Sequence, residues 1–322
     1  MATLPRAIGA PATRILGLGH YRPSRVVTNA DLIAMGVDTD DEWIKSRVGI
    51  AERRWADPGE TVVDMAEQAG SKALAAAGLT AADVDLVLVA TCTMPTPVPS
   101  AAPHLASRLG IAAPGAYDIS SGCSGFVYAI NAASAAVQTG QARNVLVVAS
   151  ERFSGWLDMA DRSTCIILAD GAGAAVIGAS ATPGLGPVVW GSDGAQFDAV
   201  AIDDETRFFR QDGQSVYRWA TSAMVPVAFE ACERAGITPS DVAAFVPHQA
   251  NLRIIDALAR KLGAPNAIVA RDIVTSGNTS AASIPIALSR MVEAGEIPSG
   301  APVLLLGFGS GLAYAGQVVL AP

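Results

Sequence analysis

Residues 76–91, AAGLTAADVDLVLVAT, return later in the chain as residues 234–249, RAGITPSDVAAFVPHQ. Both stretches read as a glycine that ends a helix, a short loop, and an apolar run typical of a buried strand. The glycines, Gly78 and Gly236, are 158 residues apart, and the aspartates of the two loops have the same spacing. The chain therefore repeats a unit in which a helix leads into a buried strand.

Three further pairs of similar stretches follow in the same order. They are SRLG at 107–110 with RKLG at 260–263, YDISSGCSG at 117–125 with RDIVTSGNTS at 271–280, and NVLVVASE at 144–151 with PVLLLGFG at 302–309. One such match is common among α/β proteins, but four in one order indicate an internal duplication. We expect layered α/β architecture in which an N-terminal half (1–180) and a C-terminal half (181–322) pack about a pseudo-twofold axis.

The composition suits a globular protein with a large buried core. The 322 residues are 51% hydrophobic and 16% charged, which argues against disorder. A net charge of −8 at pH 7 disfavours non-specific nucleic-acid binding. The first 14 residues, MATLPRAIGAPATR, lack the apolar run of a secretory signal. Residues 302–322 carry no charge, but their glycines favour two buried strands, at Val303–Leu306 and Gln317–Leu320, over a membrane span.

The four cysteines and three histidines form no paired CxxC motif and no pattern of metal ligands. We therefore expect no metal site, no disulfide framework and a cytoplasmic location. Cys92, Cys165 and Cys232 lie in apolar strand or helix contexts, where buried inert thiols are the usual finding.

Cys123 has a different setting, between two glycines in ISSGCSGF at 119–126. The glycines leave room for a substrate beside the sulfur. The following residues predict a helix that ends near Gly140, so the thiol would lie at a helix N-terminus, where thiolate is favoured over thiol. A small residue for tight helix packing is the alternative interpretation.

The duplication predicts that two distant polar residues lie near Cys123. His248 ends the second copy of the repeated strand, and Asn278 occupies nearly the position that Cys123 holds in the first copy. A lone histidine is more often a satisfied core residue, and an asparagine before a helix is often only a cap. Pseudo-symmetry nevertheless places all three residues at one central site, at strand ends and helix starts. GFGSG at 307–311 follows a buried strand and could supply a backbone oxyanion donor.

Over essentially its whole length the chain resembles the β-ketoacyl-ACP synthase III family. This resemblance implies a thiolase-like fold with αβαβα layers. The motifs that carry it are DEWIKSRVGIAERR (41–54), SGCSGFVYA (121–129), DRSTCIILADGAGAAV (161–176), VPHQAN (246–251) and GNTSAASIP (277–285).

The resemblance also implies roles for individual residues. Cys123 would be the acyl-accepting nucleophile, and His248 and Asn278 would be the decarboxylation pair. The backbone N–H groups of Cys123 and Ser310 would form the oxyanion hole; some relatives have glycine at the second position, but only its backbone is needed. The residues implied to bind coenzyme A are Thr39, Trp43, Arg47, Arg162, Gly213, Tyr217, Ala250 and Asn251.

Further implied sites lie around this centre. Phe308 matches a bulky residue beside the reaction site, and Val98 matches a position that shapes the acyl pocket across a dimer interface. The segment from Asp193 to Gly213 looks shorter than in many similar sequences, so the rim of the substrate channel is expected to differ. The basic residues expected to dock an acidic carrier protein are Arg218, Arg253, Arg260 and Lys261.

The implied activity is a decarboxylative condensation of an acyl-CoA primer with malonyl-ACP, initiating fatty acid or polyketide synthesis in a homodimer. No cofactor is implied, because acyl-CoA is a substrate and phosphopantetheine is carried by the ACP. Two alternatives stay open: an acyltransferase that uses a hydroxyl or amine acceptor, and a non-catalytic acyl-CoA or ACP binding module. A biosynthetic thiolase is disfavoured, since residues 307–311 lack the second cysteine expected there.

Overall fold

The computed structural model describes residues 11–322, so most of the N-terminal stretch MATLPRAIGAPATR lies outside the described residues. The strands in this range are β1 (Ala12–Tyr21), β2 (Val26–Thr28), β3 (Glu52–Arg54), β4 (Leu86–Ala90), β5 (Gly115–Ile119), β6 (Asn144–Arg152), β7 (Asp170–Ser180), β8 (Val189–Gly191), β9 (Val200–Ile202), β10 (Phe209–Gln211), β11 (Ala244–Pro247), β12 (Ile268–Val269), β13 (Pro302–Phe308) and β14 (Tyr314–Leu320). The helices are α1 (Asn29–Ala34), α2 (Asp41–Val48), α3 (Val62–Ala77), α4 (Ala101–Arg108), α5 (Gly125–Gln138), α6 (Gly213–Arg234), α7 (Leu252–Leu262), α8 (Ile273–Ser276) and α9 (Ser283–Glu293).

Two five-stranded sheets share one topology. Their orders are β1-β7-β6-β4-β5 and, in the same sense, β8-β14-β13-β11-β12. In each sheet the last three strands are parallel and the first two are antiparallel to their neighbours. The repeated strands β4 and β11 occupy the same place, as do β6 and β13. The predicted duplication and the α/β fold class are confirmed.

The sheets and helices form five layers. Helices α3 and α4 pack on the outer face of the first sheet, and α6 and α7 pack on the outer face of the second. Between the sheets lie α5 and α9, in a core that takes buried residues from both, such as Val147 and Leu305. This is the expected αβαβα order. Both sheets bury their inner faces against this shared middle layer. The division into halves at residue 180 stays a prediction.

Small residues allow the layers to approach closely. A Cβ on Gly17 or Gly19 of β1 would overlap the backbone of α3, and one on Gly173 of β7 would lie 2.7 Å from the backbone nitrogen of Ile286 in α9. Strands that are covered by helices on both faces have continuous runs of small or apolar residues. This explains the stretch GAGAAVIG at 171–178 in β7.

The uncharged segment 302–322 forms β13 and β14, which pair antiparallel from Pro302 opposite Leu320 to Phe308 opposite Tyr314. The prediction of two strands around a glycine turn is confirmed. Among the described helices, none combines the length and apolarity needed to cross a membrane.

The middle-layer helices position the site. The chain leaves β5 and enters α5 through a turn at 122–124, and it reaches α9 through the loop 277–282. Because α5 and α9 are equivalent elements of the two halves, these loops lie side by side at the centre of the molecule. They carry Cys123 and Asn278.

Candidate active site

A cavity of about 410 Å³ leads from the surface to the centre of the fold. Cys123 and the buried residues His248 and Asn278 line its inner part. The exposed side chains of Arg47 and Arg253 line its mouth. The structure thus brings the three predicted catalytic residues to one site, although they lie on three separate loops.

Two glycines next to Cys123 leave no room for a side chain: Gly122, which precedes it in the chain, and Gly309, which packs against it. Gly122 has a φ of +48°, and a Cβ there would overlap Oγ of Ser310. A Cβ on Gly309 would lie 3.0 Å from the sulfur of Cys123 and 2.8 Å from its Cβ. The turn at Ser310 therefore packs directly on the turn of the nucleophile. The two backbone N–H groups expected to form an oxyanion hole lie on these adjoining turns.

Two opposing effects act on the pKa of the Cys123 thiol. Burial raises the pKa of its thiol to about 12, and a hydrogen bond with the Ser280 side chain opposes this rise only in part. The turn does lead into α5, whose N-terminus favours negative charge. Loss of water around the sulfur opposes that effect, so the expected shift towards thiolate stays a prediction.

His248 follows β11 and is only 2% exposed. Its Nδ1 lies 2.7 Å from Oγ of Ser283, and its ring stands edge-on to that of Phe308, with centroids 5.4 Å apart. Burial lowers the pKa of the imidazole to about 3, so the ring is neutral. Nδ1 faces the protein interior, which leaves Nε2 as the nitrogen directed at the cavity.

Asn278 is held by its backbone and by one side-chain oxygen. Its N–H donates to the carbonyl of Ile167 and its carbonyl accepts from the N–H of Ala169, both at 2.9 Å. The N–H of Ser280 donates to its Oδ1 at 2.8 Å. Since a backbone N–H can only donate, this contact identifies the oxygen, and Nδ2 is the group left for the cavity. Among residues 11–322, no acceptor takes a hydrogen bond from Nδ2. The asparagine orders its turn, as a cap would, and still presents an amide donor.

The residues expected to bind coenzyme A fall into two groups. Arg47 and Arg162 both lie over the indole ring of Trp43, with guanidinium carbons 5.8 and 4.8 Å from its centroid. Arg162 also donates to the backbone carbonyl of Asp38 at 2.8 Å, beside Thr39. This group adjoins the cavity through Arg47, which is one of the lining residues. The residues that line the cavity itself are Arg47, Gly213, Tyr217, Ala250 and Asn251.

A second cavity, of about 780 Å³, meets Cys123 from another side. Cys92, Phe153 and Phe197 are among the residues that line it, and the sequence did not predict it. Phe308 lines the first cavity, as expected of a residue beside the site. Val98 lines neither cavity and is 79% exposed, so its role at an acyl pocket stays a prediction that requires a second subunit.

Comparison with known proteins agrees with this geometry. The family model described as 3-oxoacyl-[acyl-carrier-protein (ACP)] synthase III matches residues 117–194, and its C-terminal counterpart matches 232–320. The chain is 54% identical over 313 residues to β-ketoacyl-[acyl-carrier-protein] synthase III 2 of Streptomyces avermitilis, covering 96% of this chain and 99% of the relative. It is 55% identical to synthase III 4 of Streptomyces coelicolor, with the same coverage. The chain belongs to the synthase III family.

Solved structures of other synthase III proteins have the same fold. The priming β-ketosynthase of the R1128 polyketide pathway matches with a TM-score of 0.95 and 44% identity, covering all of this chain and 98% of that one. Synthase III of Aquifex aeolicus matches with a TM-score of 0.91 and 39% identity, covering 96% and 100%. The thiolase-like fold and the family resemblance are both confirmed. This synthase III is a condensing acyltransferase.

The four basic residues expected to dock a carrier protein lie on neighbouring helices of the synthase III fold. Arg218 is on α6, and Arg253, Arg260 and Lys261 are on α7. Arg218 and Arg253 line the mouth of the first cavity. The ammonium of Lys261 donates at 2.5 Å to a backbone carbonyl of α6, which makes it a link between the helices. The carrier-docking role of the group stays a prediction.

Sequence reasoning missed several buried polar neighbours of the site. Ser280 contacts Cys123 and Ser283 contacts His248; both lie in the run GNTSAAS, whose density of hydroxyl groups was the available signal. Cys92 was expected to be an inert core thiol, and its polar partner was missed. Its Sγ–H donates at 3.2 Å to the fully buried Glu151 beside the second cavity. Burial and the Glu151 carboxylate raise the pKa of the Cys92 thiol well above its usual value, so it stays unreactive.

Proposed function

We propose that this synthase III condenses an acyl-CoA primer with malonyl-ACP through an acyl-cysteine intermediate, with loss of CO₂. One observation carries the proposal: the Cys123 sulfur and two neutral hydrogen-bond donors, Nε2 of His248 and Nδ2 of Asn278, line one cavity, and both donor residues are buried. A simple acyl transfer requires the thiol and an oxyanion hole but no further pair of donors. Decarboxylation produces an enolate, and such a pair stabilises the charge on its oxygen.

In the first half-reaction, the sulfur of Cys123 attacks the thioester carbonyl of acyl-CoA. The N–H groups of Cys123 and Ser310 stabilise the oxyanion, and loss of one such donor typically costs about 3–4 kcal/mol of barrier. The C–S bond to coenzyme A then breaks, and the proton of the Cys123 thiol leaves with the CoA thiol. The cycle is ping-pong, with a covalent acyl-enzyme.

In the second half-reaction, malonyl-ACP enters by its phosphopantetheine arm. The thioester oxygen accepts hydrogen bonds from His248 and Asn278, and the bond to the carboxylate breaks, releasing CO₂. The enolate carbon attacks the acyl group on Cys123, and the C–S bond to Cys123 breaks. The sulfur leaves as a thiolate and takes up a proton from solvent. His248 serves as a neutral donor throughout, because burial keeps its pKa near 3. In this scheme the chain itself carries no cofactor.

The mouth of the cavity fits the adenine end of coenzyme A. Trp43 offers an indole face, and Arg162 and Arg47 offer guanidinium groups that can stack on a purine or bind phosphates. Of the four basic residues, Arg218 and Arg253 line that mouth, which supports a role in docking an acidic carrier protein.

A homodimer is part of the proposal. Strand β5 ends the first sheet, and among the described residues its outer edge has no partner strand. Tyr117, in the middle of β5, is 46% exposed. An open edge strand pairs readily with an identical strand, and such pairing would bring the exposed Val98 loop of each subunit towards its partner.

The test follows both half-reactions on the intact protein. A mass spectrum after incubation with a panel of acyl-CoAs identifies the primer, and release of CO₂ from malonyl-ACP reports the second step. Cys123→Ala should abolish the acyl adduct, because no other cysteine lies between glycines that leave room for a substrate. An adduct on Cys92, Cys165 or Cys232 in that variant would contradict the assignment. An enzyme that acylates but releases no CO₂, and passes its acyl group to a hydroxyl or amine, would be the acyltransferase instead.

A further inference from the structure

The hydroxyl of Ser283 makes two contacts in the core behind the active site. Its Oγ lies 2.7 Å from Nδ1 of His248, and the backbone N–H of Gln249 donates to it at 3.2 Å. Ser283 is 1% exposed and opens helix α9, so its position is fixed by the middle layer of the fold. This contact connects His248 to the segment that carries Asn278, because α9 follows the Asn278 loop.

The proton count of these contacts decides their direction. A backbone N–H can only donate, so Ser283 Oγ accepts from Gln249. The hydroxyl has one proton of its own to give. Within residues 11–322, Nδ1 of His248 is the only hydrogen-bonding atom that can accept this proton. If Nδ1 carried a proton instead, Ser283 would accept twice and its own proton would be buried without an acceptor, which folded proteins avoid.

We propose that Ser283 is a positioning residue that holds His248 in the tautomer protonated on Nε2. The inference rests on the proposed role of His248 in decarboxylation. A neutral imidazole has one N–H, and it is useful to the enolate only when it is on the nitrogen that faces the cavity. By donating to Nδ1, Ser283 makes that nitrogen an acceptor and sends the ring proton to Nε2. The ring is also held at the correct angle, between this hydroxyl and the edge-on contact with Phe308.

The chain contains a matched control on the same helix. Ser289, also on α9, is 6% exposed, and its Oγ lies 3.0 Å from Nδ1 of His20. Neither residue lines the two cavities at Cys123. Ser289→Ala therefore removes a buried serine–histidine contact from the same element without touching the site.

The experiment compares Ser283→Ala, Ser283→Thr and Ser289→Ala in the full chain. We expect Ser283→Ala to lower CO₂ release from malonyl-ACP by about tenfold to a hundredfold, the range for loss of a group that orients a working imidazole. Acylation of the nucleophile should stay within about threefold, since it does not use Nε2–H. Ser283→Thr keeps the hydroxyl and should restore most of the rate. Ser289→Ala should leave both steps near wild type.

Nitrogen-15 NMR of histidine-labelled protein reads the tautomer directly. The chain has three histidines, so a His248→Ala spectrum assigns the signal. Wild type should show His248 with a protonated Nε2, and Ser283→Ala should show a fraction protonated on Nδ1. An unchanged tautomer, or CO₂ release equal to that of Ser289→Ala, would overturn the inference. If His248→Ala itself kept full decarboxylation, the proposed role of the histidine would fail, and that outcome is distinct from a silent Ser283→Ala.

Discussion

The backbone N–H of Ser280 donates a 2.8 Å hydrogen bond to Oδ1 of Asn278. This bond fixes which end of the amide is held by the protein and which end meets the substrate. Asn278 uses its oxygen as a cap does, and it differs from an ordinary cap because its Nδ2 protons remain for the cavity that it lines with Cys123. The same loop carries Ser280 to the sulfur of Cys123.

Asn278→Asp should separate the two ends of this side chain. The carboxylate keeps an oxygen for the Ser280 N–H but has no proton to donate to an enolate. We expect acylation of Cys123 within roughly tenfold of wild type and loss of decarboxylation by about 10² or more, the scale of one lost donor in a water-poor site. Asn278→Ala should give the same pattern. Adduct formation by mass spectrometry and CO₂ release measure the two steps, and equal losses in both would contradict the assigned role.

Gly309→Ala should impair attack by Cys123 without removing any reacting group. A Cβ at position 309 would lie 3.0 Å from the sulfur, which is tighter than ordinary contact, so the thiol has to move. A displacement of this kind can cost about 10² in rate, and we expect that loss in acylation. Gly59→Ala is the control, because nothing lies within 4 Å of its added Cβ. Wild-type acylation in Gly309→Ala would show that the glycine is not required beside the nucleophile.

Repetition in the sequence predicted most of the architecture. Strands β4 and β11 were matched by their spacing, and each takes the second-last place in its sheet. The apolar runs of the parallel strands are buried on both faces, so their pattern is unambiguous from sequence. Helix α5 was predicted after Cys123 with its end near Gly140, and it spans Gly125–Gln138. Such local patterns predict the structure correctly because the local preference and the tertiary packing favour the same element.

The environment of the site could not be predicted in the same way. Ser283 reaches His248 across 35 residues, and Glu151 reaches Cys92 across 59, so no local pattern marks either contact. The helix N-terminus before α5 was visible in the sequence, whereas the extent of burial around Cys123 was not. Burial raises the pKa of that thiol, against the effect of the helix, and burial is a property of the whole fold.

Arg162→Ala tests the coenzyme A end of the cavity. Its guanidinium lies over Trp43, remote from the reacting atoms, so its contacts should bind ground state and transition state alike. We expect the KM for acyl-CoA to rise about tenfold with kcat within twofold. Arg143→Ala is the control, since this exposed arginine pairs with Asp85 away from both cavities. An unchanged KM in Arg162→Ala and in Arg47→Ala would remove the proposed nucleotide site.

Ala116→Pro tests the proposed pairing of β5 with a second subunit. The N–H of Gly115 and the carbonyl of Ile119 face the interior of the sheet, so the alternate residue Ala116 directs its N–H outward. Proline removes that outward donor and leaves the pairing with β4 intact, as edge strands allow. Light scattering should give a wild-type mass of twice 32.9 kDa and a variant shifted towards monomer. A wild-type monomer at micromolar concentration would contradict the homodimer.

His248 should make the protein less stable as the pH falls. Its pKa is lowered from 6.5 to about 3 by burial, so between these values the unfolded chain binds a proton that the folded chain does not. The unfolding free energy therefore falls as pH decreases through this window, by about 2 kcal/mol between pH 8 and pH 5. His248→Gln removes the titrating group, and its urea unfolding should lose less stability over the same interval by about that amount. Parallel losses in wild type and variant would show that the imidazole is protonated in the folded state at pH 5. The neutral donor would then be limited to pH values above the pKa of the folded imidazole, and a pKa near 3 would be contradicted.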